Sequence, residues 1–105
     1  DLWSEATSKV LQTNHSSISG RYYMRFTVED HPGVLADVSG SLGRNEISIA
    51  SIIQREIDDD NVQGDDVSLV IMTHAATEGN AAAAVREIDA LPSVRAGSVR
   101  MRVLD

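Results

Sequence analysis

VEDHPGVLADVSGSLG, residues 28–43, decides how the whole chain is read. It leaves a strand at Val28-Glu29, breaks at His31-Pro32-Gly33, and resumes with Val34, Leu35, Val38 and Leu42 on one face of a helix. Upstream, YYMRFTVE alternates: Tyr22, Met24, Phe26 and Val28 point one way, and Tyr23, Arg25, Thr27 and Glu29 the other. The motif is therefore a half-buried strand running into a helix through a tight turn. Pro32, with its fixed φ and no N–H to lose, suits the first helical turn. Asp30 or His31 then falls at the cap, and Asp is the better capping residue. Gly40 weakens the helix interior, and Gly43 is the end signal.

Downstream the pattern repeats in a different order. ISIASIIQREI, residues 47–57, is β-branched; Ile52 and Ile53 are adjacent, so the strand bulges there or is covered on both faces. VSLVIMTHA, residues 67–75, is apolar on both faces through its middle, as a central strand is. GNAAAAVREIDAL, residues 79–91, is a helix with Ala81, Ala84, Val85, Ile88 and Leu91 as its stripe, closed by Pro92. Val99, Met101 and Val103 alternate with Ser98, Arg100 and Arg102, a last strand with a charged outer face. Residues 1–20 read as a linker, part of it helical through Leu2, Ala6 and Val10, so the folded domain covers residues 21–105.

Strand, helix, strand, strand, helix, strand, with right-handed crossovers, is most simply an α+β fold of the ferredoxin-like βαββαβ type. It predicts one antiparallel sheet of four strands with both helices on one face. Strands one and three are central, and strands two and four are edges. The long edge at 47–57 then needs cover, which pairing with a second copy supplies; alternatively Ser48 and Gln54 merely blunt it.

Bulk properties exclude several functions. A chain of 105 residues with 42% hydrophobic and 24% charged residues makes one globular domain. A net charge of −7, with Lys9 the single lysine, argues against nucleic acid and anionic membrane as partners. The absence of cysteine removes disulfides, thiolate metal sites and Cys nucleophiles, and fits the cytoplasm. No apolar run is long enough to cross a bilayer, and the initial Asp reads as the start of an excised piece.

The turn Asp30-His31-Pro32-Gly33-Val34 is the strongest candidate site. The first N–H groups of a helix lack intrahelical partners and carry the positive end of its dipole, so a carboxylate can bind there. A side chain at Gly33 would block that approach, and Asp30 could accept from an α-ammonium group. The plain alternative is a capped turn with no ligand. In IDDDNVQGDD, residues 57–66, Asp59, Asn61, Gln63 and Gly64 match part of a calcium loop, but its last ligand would be Val70, which rejects a metal. His15, His31 and His74 form no ligand pair, and no nucleophile elbow or phosphate loop is present, so no catalytic residue is assigned. An RNA-binding reading lacks aromatics on 67–75, and a phosphate-gripping enzyme lacks an Arg in the first turn.

The stretches YYMRFTVEDHPGVLADVSGSLGRNEISIASIIQRE and, more loosely, VSLVIMTHAATEGNAAAAVREIDALPSV resemble an ACT domain, most of all the C-terminal regulatory domain of homoserine dehydrogenases. The resemblance covers about residues 22–104. It implies a homodimer through ACT–ACT contacts and a small amino-acid effector, threonine first among them, bound where two copies meet. Carried over by position, the effector-binding residues are Asp30, His31, Gly33, Val34 and Leu35, with Ser48 and Ile49 from the neighbour. Many ACT domains have Gly and Asn where this chain has Glu46 and Ser48. The implied parent is an NAD(P)-dependent enzyme of aspartate-family biosynthesis whose cofactor and catalytic regions lie outside these residues, so this piece is non-catalytic, holds no cofactor, and has the catalytic domain as a partner. The alternative the resemblance leaves is an oligomerisation module with no functional effector site.

Overall fold

The computed structural model describes residues 18–57 and 64–104. The elements are β1 (Ser19–Glu29), α1 (Val34–Arg44), β2 (Ile49–Glu56), β3 (Asp66–Thr73), β4 (Ala76–Thr77), α2 (Glu78–Asp89) and β5 (Val99–Val103). The sheet runs β2-β3-β1-β5, and β4, two residues beyond β3, pairs with the first residues of β1 one position out of the β3 register. All of these pairings are antiparallel, so β1 and β2 run in the same direction. The ferredoxin-like order holds, with the first and third strands central. β4 is an addition: it pairs with Ser19 and Gly20, which were expected in the linker and instead begin β1.

The core lies between the sheet and the helices. Phe26, Met24, Val28, Leu69 and Ile71 from the two central strands meet Val38 and Leu42 of α1 and Ala81, Ala84 and Ile88 of α2. Small residues on α2 let that helix lie close to the sheet. Thr77 caps α2 by accepting from the Asn80 N–H at 3.1 Å.

Several details differ from the reading of the sequence. α1 begins at Val34 with Gly33 as its N-cap, and no side chain caps it. Pro32 therefore precedes the cap rather than opening the helix, and neither Asp30 nor His31 occupies the cap. Leu35 is 44% exposed, because Val34, Val38, Ser41 and Leu42 fill the buried face. Gly43 does not end α1. The Glu46 N–H donates to Gly43 O and the Ile47 N–H to Leu42 O, a Schellman cap in which Glu46, at φ 61°, takes the left-handed position usually given to Gly. Ile47, expected in the strand, is buried in this cap.

The bulge in β2 falls between Ile49 and Ser51, not at Ile52-Ile53. It places Ile52 against the core and Ile53 on the opposite face. In β5 the faces are also reversed from expectation. Arg100 pairs with Met24 and Arg102 with Tyr22, so the arginines lie on the helix side; Met101, opposite Tyr23, lies on the open side.

Candidate functional site

The turn after β1 is bare where a ligand would need it to be. The Val34 N–H reaches His31 O at 3.3 Å, and the Asp37 N–H reaches Gly33 O at 3.0 Å. The Leu35 and Ala36 N–H groups are left without a capping side chain. Gly33 is exposed at φ 93°, ψ −18°, and a Cβ built on it meets no heavy atom within 4 Å. Glycine is required here for its backbone conformation, and the space above it is open.

The segment after α2 fixes the turn from outside. The Glu29 N–H donates to Ser93 O at 2.8 Å, and the Arg95 N–H to Thr27 O at 2.8 Å. His31 Nδ1 lies 2.8 Å from Pro32 O, which can only accept, so Nδ1 carries the proton. In the neutral ring Nε2 then accepts from Ser93 Oγ, 2.5 Å away. His31 is thus tied at both nitrogens rather than free in solvent. Arg95 donates to Glu29 at 2.7 Å and to Asp66 at 3.1 Å. Hydrogen bonds donated to Asp66, then to Glu29, hold the Arg95 pKa above its ordinary value. Beside this clamp lies a cleft of about 400 Å³, lined by Glu29, Asp30, His31, Asp65, Asp66 and Arg95 among others. Ser93 and Arg95 were not singled out in the sequence; their role depends on the loop after α2 returning to the end of β1, which no local pattern encodes.

The candidate residues fall into two groups. Asp30, His31, Gly33, Val34 and Leu35 are together at the end of β1. Val34 is buried, so it offers a ligand only its backbone. Asp30 Oδ1 accepts a long hydrogen bond of 3.5 Å from Gln54. Ser48 and Ile49 lie at the other end of the sheet: Ile49 is level with Thr73, and Thr73 Oγ1 accepts from the Tyr22 N–H. From Tyr22 to Glu29 is seven residues of strand, about 23 Å. One chain does not bring the two groups together.

Residues 58–63, most of the loop tested for calcium, lie outside the described residues, as does His15. Among the described residues no group of His, Cys, Asp or Glu could hold a metal ion. No helix among them is long and apolar enough to cross a membrane.

Comparison with known proteins bears on the family and the fold. Residues 22–93 match the ACT domain. Homoserine dehydrogenase of Methylobacillus glycogenes is 41% identical over 86 residues, covering 82% of this chain and 20% of the relative. That of Pseudomonas aeruginosa is 38% identical over 82 residues, covering 78% and 18%. The chain therefore spans about a fifth of the length of these relatives. A crystal structure of homoserine dehydrogenase from Thiobacillus denitrificans superposes with a TM-score of 0.75 at 31% identity, over 89% of this chain and 19% of that one. The ACT domain of a GTP pyrophosphokinase from Chlorobium tepidum shares the fold at 13% identity, with a TM-score of 0.60. The βαββαβ order and these similarities agree: the chain belongs to the ACT domain family.

Proposed function

We propose that this domain is the effector-binding regulatory part of a homoserine dehydrogenase, taking a small amino acid, threonine first among candidates, at a site shared by two copies. The supporting observation is the uncapped start of α1 at Gly33, with open space beside it. The effector's carboxylate would meet the Leu35 and Ala36 amides, and Asp30 would accept from its ammonium group. Leu35, exposed beside the turn, would meet its side chain.

A second copy would complete the site by reversing direction. β1 and β2 run the same way, so Ser48 and Ile49 are remote from the turn of their own chain. Antiparallel pairing of two β2 edges would carry a neighbour's Ser48 and Ile49 towards that turn. An effector that binds the paired arrangement better than another biases the parent enzyme, typically by about 1–3 kcal/mol of coupling. The catalytic work, with its nicotinamide cofactor, would belong to parts of a cytoplasmic parent beyond this piece.

A second reading rests on Glu46. It holds a strained left-handed conformation two residues from Ser48, in the segment that would line the neighbour's site. A domain that pairs but binds no effector is compatible with that departure from the common Gly. Calorimetry with threonine, isoleucine, methionine and serine decides between the two. Heat and a melting shift with one of them support the effector site. A folded dimer that shows neither at millimolar concentration leaves the pairing module.

A further inference from the structure

His31-Pro32-Gly33-Val34 is a β-turn. The Val34 N–H closes on His31 O at 3.3 Å, Pro32 stands second, and Gly33 stands third at φ 93° and ψ −18°. A positive φ at the third position makes the turn type II. Types I and II differ by a half-rotation of the central peptide, here Pro32–Gly33, and glycine reaches φ of either sign. That peptide is trans, so its carbonyl and its N–H point to opposite sides. In the observed form the Gly33 N–H has no partner among the described residues, so it is bare, as the Leu35 and Ala36 amides are. A half-rotation would put the Pro32 oxygen where that N–H stands. An arriving carboxylate would then meet an acceptor instead of a donor.

The side chain that holds the Pro32 carbonyl in place is His31, whose Nδ1–H donates to Pro32 O at 2.8 Å. That bond survives only while the proton stays on Nδ1. Two groups compete for Nε2: Ser93 Oγ at 2.5 Å and Glu29 Oε2 at 3.8 Å. A carboxylate only accepts, so a ring turned to Glu29 would carry its proton on Nε2 and release Pro32 O. A hydroxyl can donate, so Ser93 leaves the proton on Nδ1. Ser93 is itself well held. Its carbonyl accepts the Glu29 N–H at 2.8 Å, and the next residue, Val94, bridges Val28 of β1. Arg95 draws the Glu29 carboxylate the other way, at 2.7 Å. We infer that Ser93 is a positioning residue of this turn: acting through His31, its hydroxyl keeps the Pro32–Gly33 peptide in the orientation that offers an N–H rather than a carbonyl to a ligand's acid group. The consequence for a ligand rests on the effector site proposed above; the hold on the turn does not.

Nuclear magnetic resonance of the 15N-labelled chain tests the hold without any ligand. At about pH 8, where imidazole is neutral, the His31 ring should be protonated at Nδ1. Ser93→Ala should move the proton towards Nε2. Relaxation dispersion at the Gly33 amide should be flat in the unsubstituted chain and report exchange in Ser93→Ala. Ser93→Thr, which keeps a hydroxyl, should restore both signals. In calorimetry with threonine, isoleucine, methionine and serine, Kd for whichever binds should rise at least about twofold in Ser93→Ala, the factor expected when half of the turns are rotated. The inference is overturned if the unsubstituted ring carries its proton on Nε2, or if Ser93→Ala leaves the ring tautomer or the Gly33 amide as it was. It is also overturned if an amino acid that binds the unsubstituted chain binds Ser93→Ala equally well. If none of the four binds the unsubstituted chain, the effector site falls, and the ring and Gly33 signals still decide the role of Ser93.

Discussion

Gly33 and Glu46 stand at the two ends of α1, and both have positive φ. At Gly33 an added Cβ would have room, so the cost of a substitution is conformational. Gly33→Ala should lower stability by about 1–2 kcal/mol, measured by urea denaturation. Gly33→Val would be worse, because a β-branched residue resists this region most. Val there is thus a poor probe of binding, and Ala is the better one. Glu46 presents the opposite case. Glu46→Gly removes a side chain from the left-handed position of the Schellman cap, and should raise stability by up to about 1 kcal/mol in the same assay. Both assignments separate local conformation from ligand contact, which the sequence blends: Asp-His-Pro-Gly announces a turn, but not which of its residues is the cap.

Each helix is tied to the other near its C-terminal end. Arg44 Nε donates to Glu87 at 2.8 Å, and Asn45 Nδ2 donates to the same carboxylate at 2.8 Å. Arg44, then Asn45, hold the Glu87 pKa below its ordinary value of 4.5. A carboxylate with a lowered folded pKa adds stability above its unfolded pKa, and the gain disappears as pH falls through the folded value. Glu87→Gln should therefore flatten the acid side of a thermal-melting series below about pH 4.5 and leave its alkaline side unchanged. Among strands, β1 carries the largest share of the core. Phe26→Ala should cost about 3–5 kcal/mol in denaturation, since Phe26 is fully buried between both helices and the sheet. The order and type of these elements were legible because each keeps one period over a full segment. The faces of β2 and β5 were not. Period shows that residues alternate, but a bulge at Ile49–Ser51 and the pairing partner of Arg100 decide which set turns inward.

At the scale of the molecule, two edges and one face of the sheet are open among the described residues. β2 is the longer edge, with 8 residues against 5 in β5, and β5 carries Arg100 and Arg102. The arginines on β5 discourage pairing along that edge, which favours association through β2. Sedimentation should show a concentration-dependent dimer, and a strict monomer at high concentration would count against pairing through β2. Half of the candidate site was readable in the sequence as a contiguous turn. The other half, Ser48 and Ile49, came only from the resemblance to ACT domains and not from pattern, because a single chain encodes no register between copies.

β1 is 11 residues or about 36 Å long. At its far end the Ile18 carbonyl accepts the Glu78 N–H, 2.9 Å away, where α2 starts. The turn bearing Gly33 and the point where the polypeptide arrives from upstream are therefore opposite tips of one stiff rod. A displacement of the turn along that strand would therefore be felt at the root of α2, where the preceding residues join the sheet.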